Sequence, residues 1–213
     1  MATWPVTYPD NVKEEGRLTK VFVVPLNKFD DFKKTALETH SKSARQVLQG
    51  KTIDDGNSGD ALEESVLDTS SQKSEPSMVV LIDSPPNDDS TTPTDVNKSN
   101  AIAYSILAPT SYTTTPKAGY YLINVMRVKK AKQPALAAAL DAYLRGVFHC
   151  GEFEPVFHHN FLSREDPEIY VNVQGWPSRE AGREYWTSKI HTNFFPAVVE
   201  MLSMDGSWEV ELK

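Results

Sequence analysis

The 213-residue chain is 39% hydrophobic and 24% charged, and its 29 acidic against 22 basic residues leave a net charge of −7. With no clustered basic surface to displace counterions from phosphates, a general nucleic-acid binder is excluded. The single cysteine, Cys150, excludes an internal disulfide framework and any CxxC metal or redox site, and suits a reducing compartment. No apolar run approaches the roughly 20 residues that span a bilayer. The start Met1-Ala2-Thr3-Trp4-Pro5 lacks the basic and apolar regions of a secretory signal. The expectation is a soluble cytoplasmic protein that engages neither membrane nor nucleic acid.

Residues 1–16 hold two prolines and several charges and read as an arm. Residues 18–26, with Val21-Phe22-Val23-Val24, predict a buried strand. Phe29, Phe32, Ala36, Leu37, His40, Ala44, Val47 and Leu48 then recur at helical spacing, with Asn27 as N-cap and Gly50 as terminator. His40 sits at the edge of that stripe and reads as a structural histidine. From 51 to 77 the chain is rich in Ser, Asp, Glu and Gly, with at most a helical turn at 61–67. Residues 78–82 and 101–107 predict short strands on either side of a polar loop at 84–100. This first half, 17–108, is joined by a linker at 109–118 to a second half at 119–213.

The second half repeats the opening in stronger form. A strand at 120–128 precedes a helix with the stripe Leu136, Ala139, Leu140, Tyr143, Leu144, Val147 and Phe148, ending near Gly151. A hairpin follows, with strands at 155–162 and 169–176 and a turn at 163–167. Ser178 caps a helix carrying Ala181, Tyr185, Ile190 and Phe194, with Trp186 nearby, kinked by Pro196. A strand at 207–212 closes the chain, with Trp208, Val210 and Leu212 on one face. The order strand, helix, strand, strand, helix, strand is the split βαβ arrangement of a ferredoxin-like α+β domain. The first half reads as a degenerate copy, with Val21-Phe22-Val23-Val24 set against Ile123-Asn124-Val125-Met126. Phe22 then answers Asn124, which assigns the chemistry to the second half.

At period two, residues 169–176 sort into Ile169, Val171 and Val173 on one face and Tyr170, Asn172, Gln174 and Trp176 on the other. The apolar face is expected to meet the helices. The polar face is either simply wet or lines a pocket. Two such sheets packed face to face, from a homodimer or from two copies in one chain, would enclose that pocket. Its lining would be Leu122, Asn124 and Met126; His158 or His159, depending on register; and Tyr170, Asn172, Gln174 and Trp176.

At these residues the sequence resembles the antibiotic biosynthesis monooxygenase family, small proteins of the dimeric α/β-barrel type. The resemblance spans about residues 119–213. It rests on Leu122-Ile123-Asn124-Val125, on Asn172 four residues before Trp176, and on Trp176-Pro177-Ser178-Arg179-Glu180-Ala181. It implies oxidation of a phenol or anthrone of polyketide type by molecular oxygen, without flavin or metal. By the same resemblance Asn172 donates to the developing oxyanion and Trp176 stacks on the ring. Tyr170 or a histidine of the pair His158 and His159 relays the proton, while Asn124, Leu122, Met126 and Gln174 contact a small aromatic substrate.

Adjacent strand residues point to opposite faces, so His158 and His159 do not readily share a metal ion. No GxGxxG, GxxxxGK or GxSxG motif occurs. Cys150 lies at a helix C-terminus, which raises a thiol pKa and argues against a nucleophile. Two rivals to the oxygenase remain open: a non-oxidative cyclase, isomerase or lyase in the same pocket, and a non-catalytic binding or stress-response barrel protein.

Overall fold

Runs of β-branched and aromatic residues bounded by turn residues form the strands of the computed structural model, which describes residues 17–53, 75–85, 102–108, 114–150, 153–163 and 166–213. The expected N-terminal arm, the turn at 61–67 and most of the 84–100 loop lie outside the described residues. The first sheet is built from β1 (Arg17–Pro25), β2 (Gln46–Lys51), β3 (Ser77–Ser84) and β4 (Ile102–Ala108), in the order β2-β3-β1-β4. The second comprises β5 (Tyr120–Val128), β6 (Phe157–Leu162), β7 (Ile169–Trp176) and β8 (Leu202–Val210), in the order β6-β7-β5-β8. Every pairing in both sheets is antiparallel. The same order in both halves is the ferredoxin-like arrangement, present twice in one chain.

The sheets join at their edges. Gln49 and Lys213 exchange backbone hydrogen bonds of 3.0 Å, Ile53 N donates to Glu209 O at 2.9 Å, and Thr52 bridges Val210. β4 comes against β6 at the other side. The two copies therefore close an eight-stranded barrel within a single chain, as a pseudo-dimer. Among the described residues no helix is long and apolar enough to cross a membrane.

The helix expected to reach Leu48 stops at His40. Residues 26–40, here α1, pass from a 3-10 turn (Leu26–Lys28) through Phe29–Phe32 and a π turn (Lys33–Leu37) to Glu38–His40. Ser41 ends it, its hydroxyl reaching back to Glu38 O. Val47 and Leu48 then pack on opposite sides of the sheet, against α1 and in the barrel interior respectively. Their spacing fits a strand as well as a helix, and pairing along β3 decides it. The other helices are α2 (Gln133–Cys150), α3 (Arg179–Trp186) and α4 (Lys189–Val198). Ser178 caps α3 as expected, accepting from Ala181 N. The break comes at Thr187 and Ser188 rather than at Pro196, because Ser188 accepts from His191 N and starts a new helix. Pro196 is accommodated inside α4.

The largest departure from expectation is which face meets what. Val21, Val23, Val79 and Leu81 of the first sheet pack against Tyr121, Ile123, Val125, Val171 and Val173 of the second. The apolar face of β7 thus fills the barrel interior, and Tyr170, Asn172, Gln174 and Trp176 turn toward the helices. The interior is a packed core of interdigitated side chains, and the residues expected to line an inter-sheet pocket lie between sheet and helices. Linker residues Thr114 to Ala118 are fastened to both halves. Asp83 accepts from Thr115 N at 2.5 Å, Thr115 Oγ1 at 3.0 Å and Thr19 Oγ1 at 2.7 Å. Tyr121 Oη accepts from Ala118 N at 2.8 Å and donates to Pro116 O at 3.2 Å.

Candidate functional site

Strand register assembles the site from the four strands of the second sheet. Leu122 pairs with Gln174, Asn124 with Asn172 and Met126 with Tyr170, while His158 faces Gln174 from β6 and Ser207 faces Asn124 from β8. All of these side chains project from the helix-facing side of the sheet. Asn124, Asn172, Gln174 and Trp176 are at most 5% exposed, so their polar atoms need partners within the protein.

They find them in one another. Trp176 Nε1 donates to Gln174 Oε1 at 3.1 Å, Gln174 Nε2 to Asn172 Oδ1 at 2.8 Å, and Asn124 Nδ2 to the same Asn172 oxygen at 3.2 Å. Ser207 Oγ donates to Asn124 Oδ1 at 2.7 Å, where the ladder reaches the surface. The direction of this ladder follows from chemistry. An indole N–H can only donate, so the atom of Gln174 facing it is the carbonyl oxygen, and the Gln174 amino group must point at Asn172. Donation therefore converges on Asn172 Oδ1 from both sides. With its oxygen doubly engaged, the Asn172 amide is held in one orientation, and the bonds it accepts polarise its N–H groups.

The helices bring aromatic and imidazole groups over the same ground. Tyr143 of α2 hydrogen-bonds the Tyr185 hydroxyl and, at 3.0 Å, His191 Nδ1. Tyr185 lies on Trp176 with ring centroids 4.8 Å apart, and His158 meets the Tyr185 ring edge-on at 6.5 Å. Trp186 packs edge-on against His191 at 4.1 Å, and its buried Nε1 makes no hydrogen bond. α3 can lie this close because position 182 is glycine. A Cβ there would come to 2.9 Å from the Tyr120 ring.

Burial makes the site electrically neutral. It lowers His191 to about 4, and burial together with the nearby His191 lowers His158 to about 3. The hydroxyls of Tyr143, Tyr185 and Tyr170 are all raised, chiefly by burial. At neutral pH both of these histidines are uncharged and the three tyrosines are protonated. Among the described residues no group of three or more His, Cys, Asp or Glu converges as a metal site would.

No family model matches the chain, and no curated protein matches it in sequence. Solved structures do. A candidate monooxygenase from Fusobacterium nucleatum subsp. nucleatum superposes with a TM-score of 0.55 at 10% identity, over 94% of this chain and 93% of its own. Another, from Lactobacillus acidophilus, gives 0.52 at 12%, over 93% and 94%. An anthrone oxidase-like protein gives 0.58 at 10%, over 92% and 91%. At such identities the likeness is one of fold. It covers both halves of the chain and not residues 119–213 alone.

Of the residues expected from sequence, Asn124, Asn172, Gln174 and Trp176 come together in the ladder, with Leu122 against Trp176 and Tyr185. Tyr170 and Met126 sit in the adjoining cluster with Leu136 and Val198. Of the two histidines, His158 reaches the site; His159 pairs with Val173 in register, and its side chain lies outside the described residues. Sequence reasoning missed Tyr143, Tyr185, His191 and Ser207. The two tyrosines fall on helical stripes that look like ordinary core, and only their approach across two helices distinguishes them.

The neutral histidines make stability depend on pH. Unfolded, His191 titrates near 6.5; folded, it resists protonation until about pH 4. Between these values the unfolded chain binds a proton that the native chain does not, so stability falls as pH falls. The loss from His191 is expected to total roughly 3 kcal/mol across that window. Thermal melts from pH 7 to pH 4 measure it, and His191→Asn should flatten the profile. A wild-type profile that is flat between pH 6.5 and 4, or one that His191→Asn leaves unchanged, contradicts this account.

Proposed function

We propose that the chain is a cofactor-independent oxygenase acting on a phenol- or anthrone-type aromatic of polyketide character, with its site between the sheet and the helices of the second half. The observation that carries this reading is the convergence of donors on Asn172 Oδ1. It orients and polarises an amide in a buried site, the kind of group that stabilises an enolate or phenolate oxygen as it forms. Trp176 and Tyr185 supply a flat aromatic surface, and the Trp186 N–H is a second donor open to a ligand. An imidazole, His158 or His191, takes the proton removed from the substrate once the anion forming beside it offsets the burial that lowers its pKa.

For an anthrone the reaction balances without a cofactor. The ring methylene loses four electrons and becomes a carbonyl, and one dioxygen accepts them, leaving one oxygen atom in the product and one in water. The protein's part is to hold the anion and keep bulk water away while it meets oxygen.

Oxygen uptake with an anthrone, followed beside quinone formation and corrected with heat-denatured chain for spontaneous oxidation, tests the reading. One oxygen consumed per quinone formed is expected. Turnover of the aromatic substrate that proceeds equally under argon would replace the oxygenase with the non-oxidative cyclase or isomerase. Absence of any turnover or binding would favour the non-catalytic barrel.

A further inference from the structure

β8 carries an irregularity that the barrel alone does not require. Beside β5 it pairs Leu202 with Val128, Ser203 with Arg127 and Met204 with Met126; beyond these, Gly206 pairs with Val125, Ser207 with Asn124 and Trp208 with Ile123. Asp205 is therefore the extra residue of a β-bulge. Side chains alternate along a strand, so one inserted residue exchanges the two faces of everything that follows it. Without the bulge Ser207 would stand opposite Ile123 and point into the barrel, while Trp208 would stand opposite Leu122 and point at the helices. With it, Trp208 and Val210 enter the barrel core, and Ser207 and Glu209 take the helix-facing side. There Ser207 reaches Asn124, and Glu209 accepts from Arg179 at 2.7 and 2.9 Å. A strand needed only for the core could carry the same Trp and Val one position earlier and pair without interruption. Gly206 lets the bulge and the core coexist, because a Cβ there would come to 2.3 Å from the Trp208 ring.

The bulge gives the ladder a second donor at its far end. The Trp176 N–H starts one arm, through Gln174 to Asn172 Oδ1. The Ser207 O–H starts the other, through Asn124 to the same oxygen. Each amide between them accepts on its oxygen and donates from its nitrogen, so both arms run toward Asn172. Ser207, Asn124 and Asn172 stand in one row across β8, β5 and β7. A hydroxyl can also accept. In that case Asn124 would turn its amino group to Ser207 and set its own oxygen against Asn172 Oδ1, which breaks the arm.

We propose that Ser207, placed by the bulge at Asp205, is a positioning residue of the candidate site, which holds and polarises the Asn172 amide by donating to Asn124. Its effect on turnover rests on the oxygenase reading; its hold on the amide does not.

Three substitutions at this exposed position separate donation from mere polarity. Ser207→Ala removes the donor and should lower kcat for anthrone oxidation about three- to tenfold with KM little changed, since solvent takes over part of the bond. Ser207→Thr keeps the donor and should rescue kcat. In Ser207→Asp the ionised carboxylate only accepts, so Asn124 is reversed and the loss should exceed that of Ser207→Ala. None of the three should move the melting temperature by more than about 2 °C. In an Asn172→Ala background Ser207→Ala should add no further loss, because both act through one amide. Without substrate, NMR of the isotope-labelled full-length chain should show the side-chain amide signals of Asn124 and Asn172 shifted, and exchanging faster with solvent, in Ser207→Ala. Wild-type kcat in Ser207→Ala beside an impaired Asn172→Ala, or losses that add in the double variant, would overturn the proposal and leave the oxygenase reading standing. Where the wild type oxidises no anthrone, the oxygenase reading fails by itself, and amide signals unchanged in Ser207→Ala would overturn the role of Ser207 independently.

Discussion

Asn172→Ala is expected to lower kcat/KM for anthrone oxidation by about 10²–10³, or roughly 3–4 kcal/mol of transition-state stabilisation, the loss typical of one oxyanion donor. The magnitude follows from the ladder. Asn172 Oδ1 accepts from Gln174 and Asn124 at once, so the amide is already oriented and polarised before substrate arrives. The effect should fall mainly on kcat, since the donor matters most where negative charge develops. Gln174→Leu separates orientation from donation. It keeps Asn172 but removes one of the bonds that hold its oxygen, and it leaves the buried Trp176 N–H without an acceptor, at a cost of about 1–3 kcal/mol in stability. Its activity should lie between wild type and Asn172→Ala. Steady-state oxygen uptake and melting curves on the three proteins are the measurement. Wild-type kcat/KM in folded Asn172→Ala would remove Asn172 from the reaction.

What could be read from sequence, and what could not, divides along physical lines. Alternation in residues 169–176 separates Tyr170, Asn172, Gln174 and Trp176 from Ile169, Val171 and Val173 correctly, because a period of two is a property of the strand itself. Which set meets the helices is a property of the neighbours. The rule that helices cover the apolar face fails here because the polar side chains bond to one another and so can be buried, while flat β-branched residues suit the interior of a closed barrel. Residues 44–48 show the familiar ambiguity of a short apolar stretch, in which Ala44, Val47 and Leu48 fit one stripe of a helix and equally a strand buried on both faces. Lys20 of β1 stands as far before its 3-10 turn as Asn124 of β5 does before its own, a correspondence that matching the two halves on their hydrophobic blocks hides. The ends of the strands, where each chain enters its 3-10 turn, are the better ruler. His191 and Tyr143 belong to helices far apart in sequence, and no local pattern announces that their side chains meet.

Asp83→Ala should be the most damaging single change to stability outside the apolar core, costing about 3–5 kcal/mol. Asp83 is 1% exposed and accepts from Thr19 Oγ1, Thr115 N and Thr115 Oγ1. Truncation leaves three donors without an acceptor at the point where the linker enters the second half. The two threonine hydroxyls can rotate toward other acceptors, but the Thr115 backbone N–H cannot. Asp83→Asn tests that distinction. Thr19 Oγ1 and Thr115 Oγ1 both donate to Oδ1, whereas Thr115 N donates to Oδ2. An amide must set its NH₂ against one of these groups, and facing the hydroxyls, which can turn and accept, is the less costly choice. The Asn variant should therefore lose less stability than the Ala variant and still melt below wild type. Because Thr115 precedes Pro116, whose carbonyl accepts from Tyr121, loosening the linker also frees a residue packed in the barrel interior. Urea denaturation of the three proteins gives the ranking. Equal stability of Asp83→Ala and wild type would mean that the linker is held by the barrel core alone.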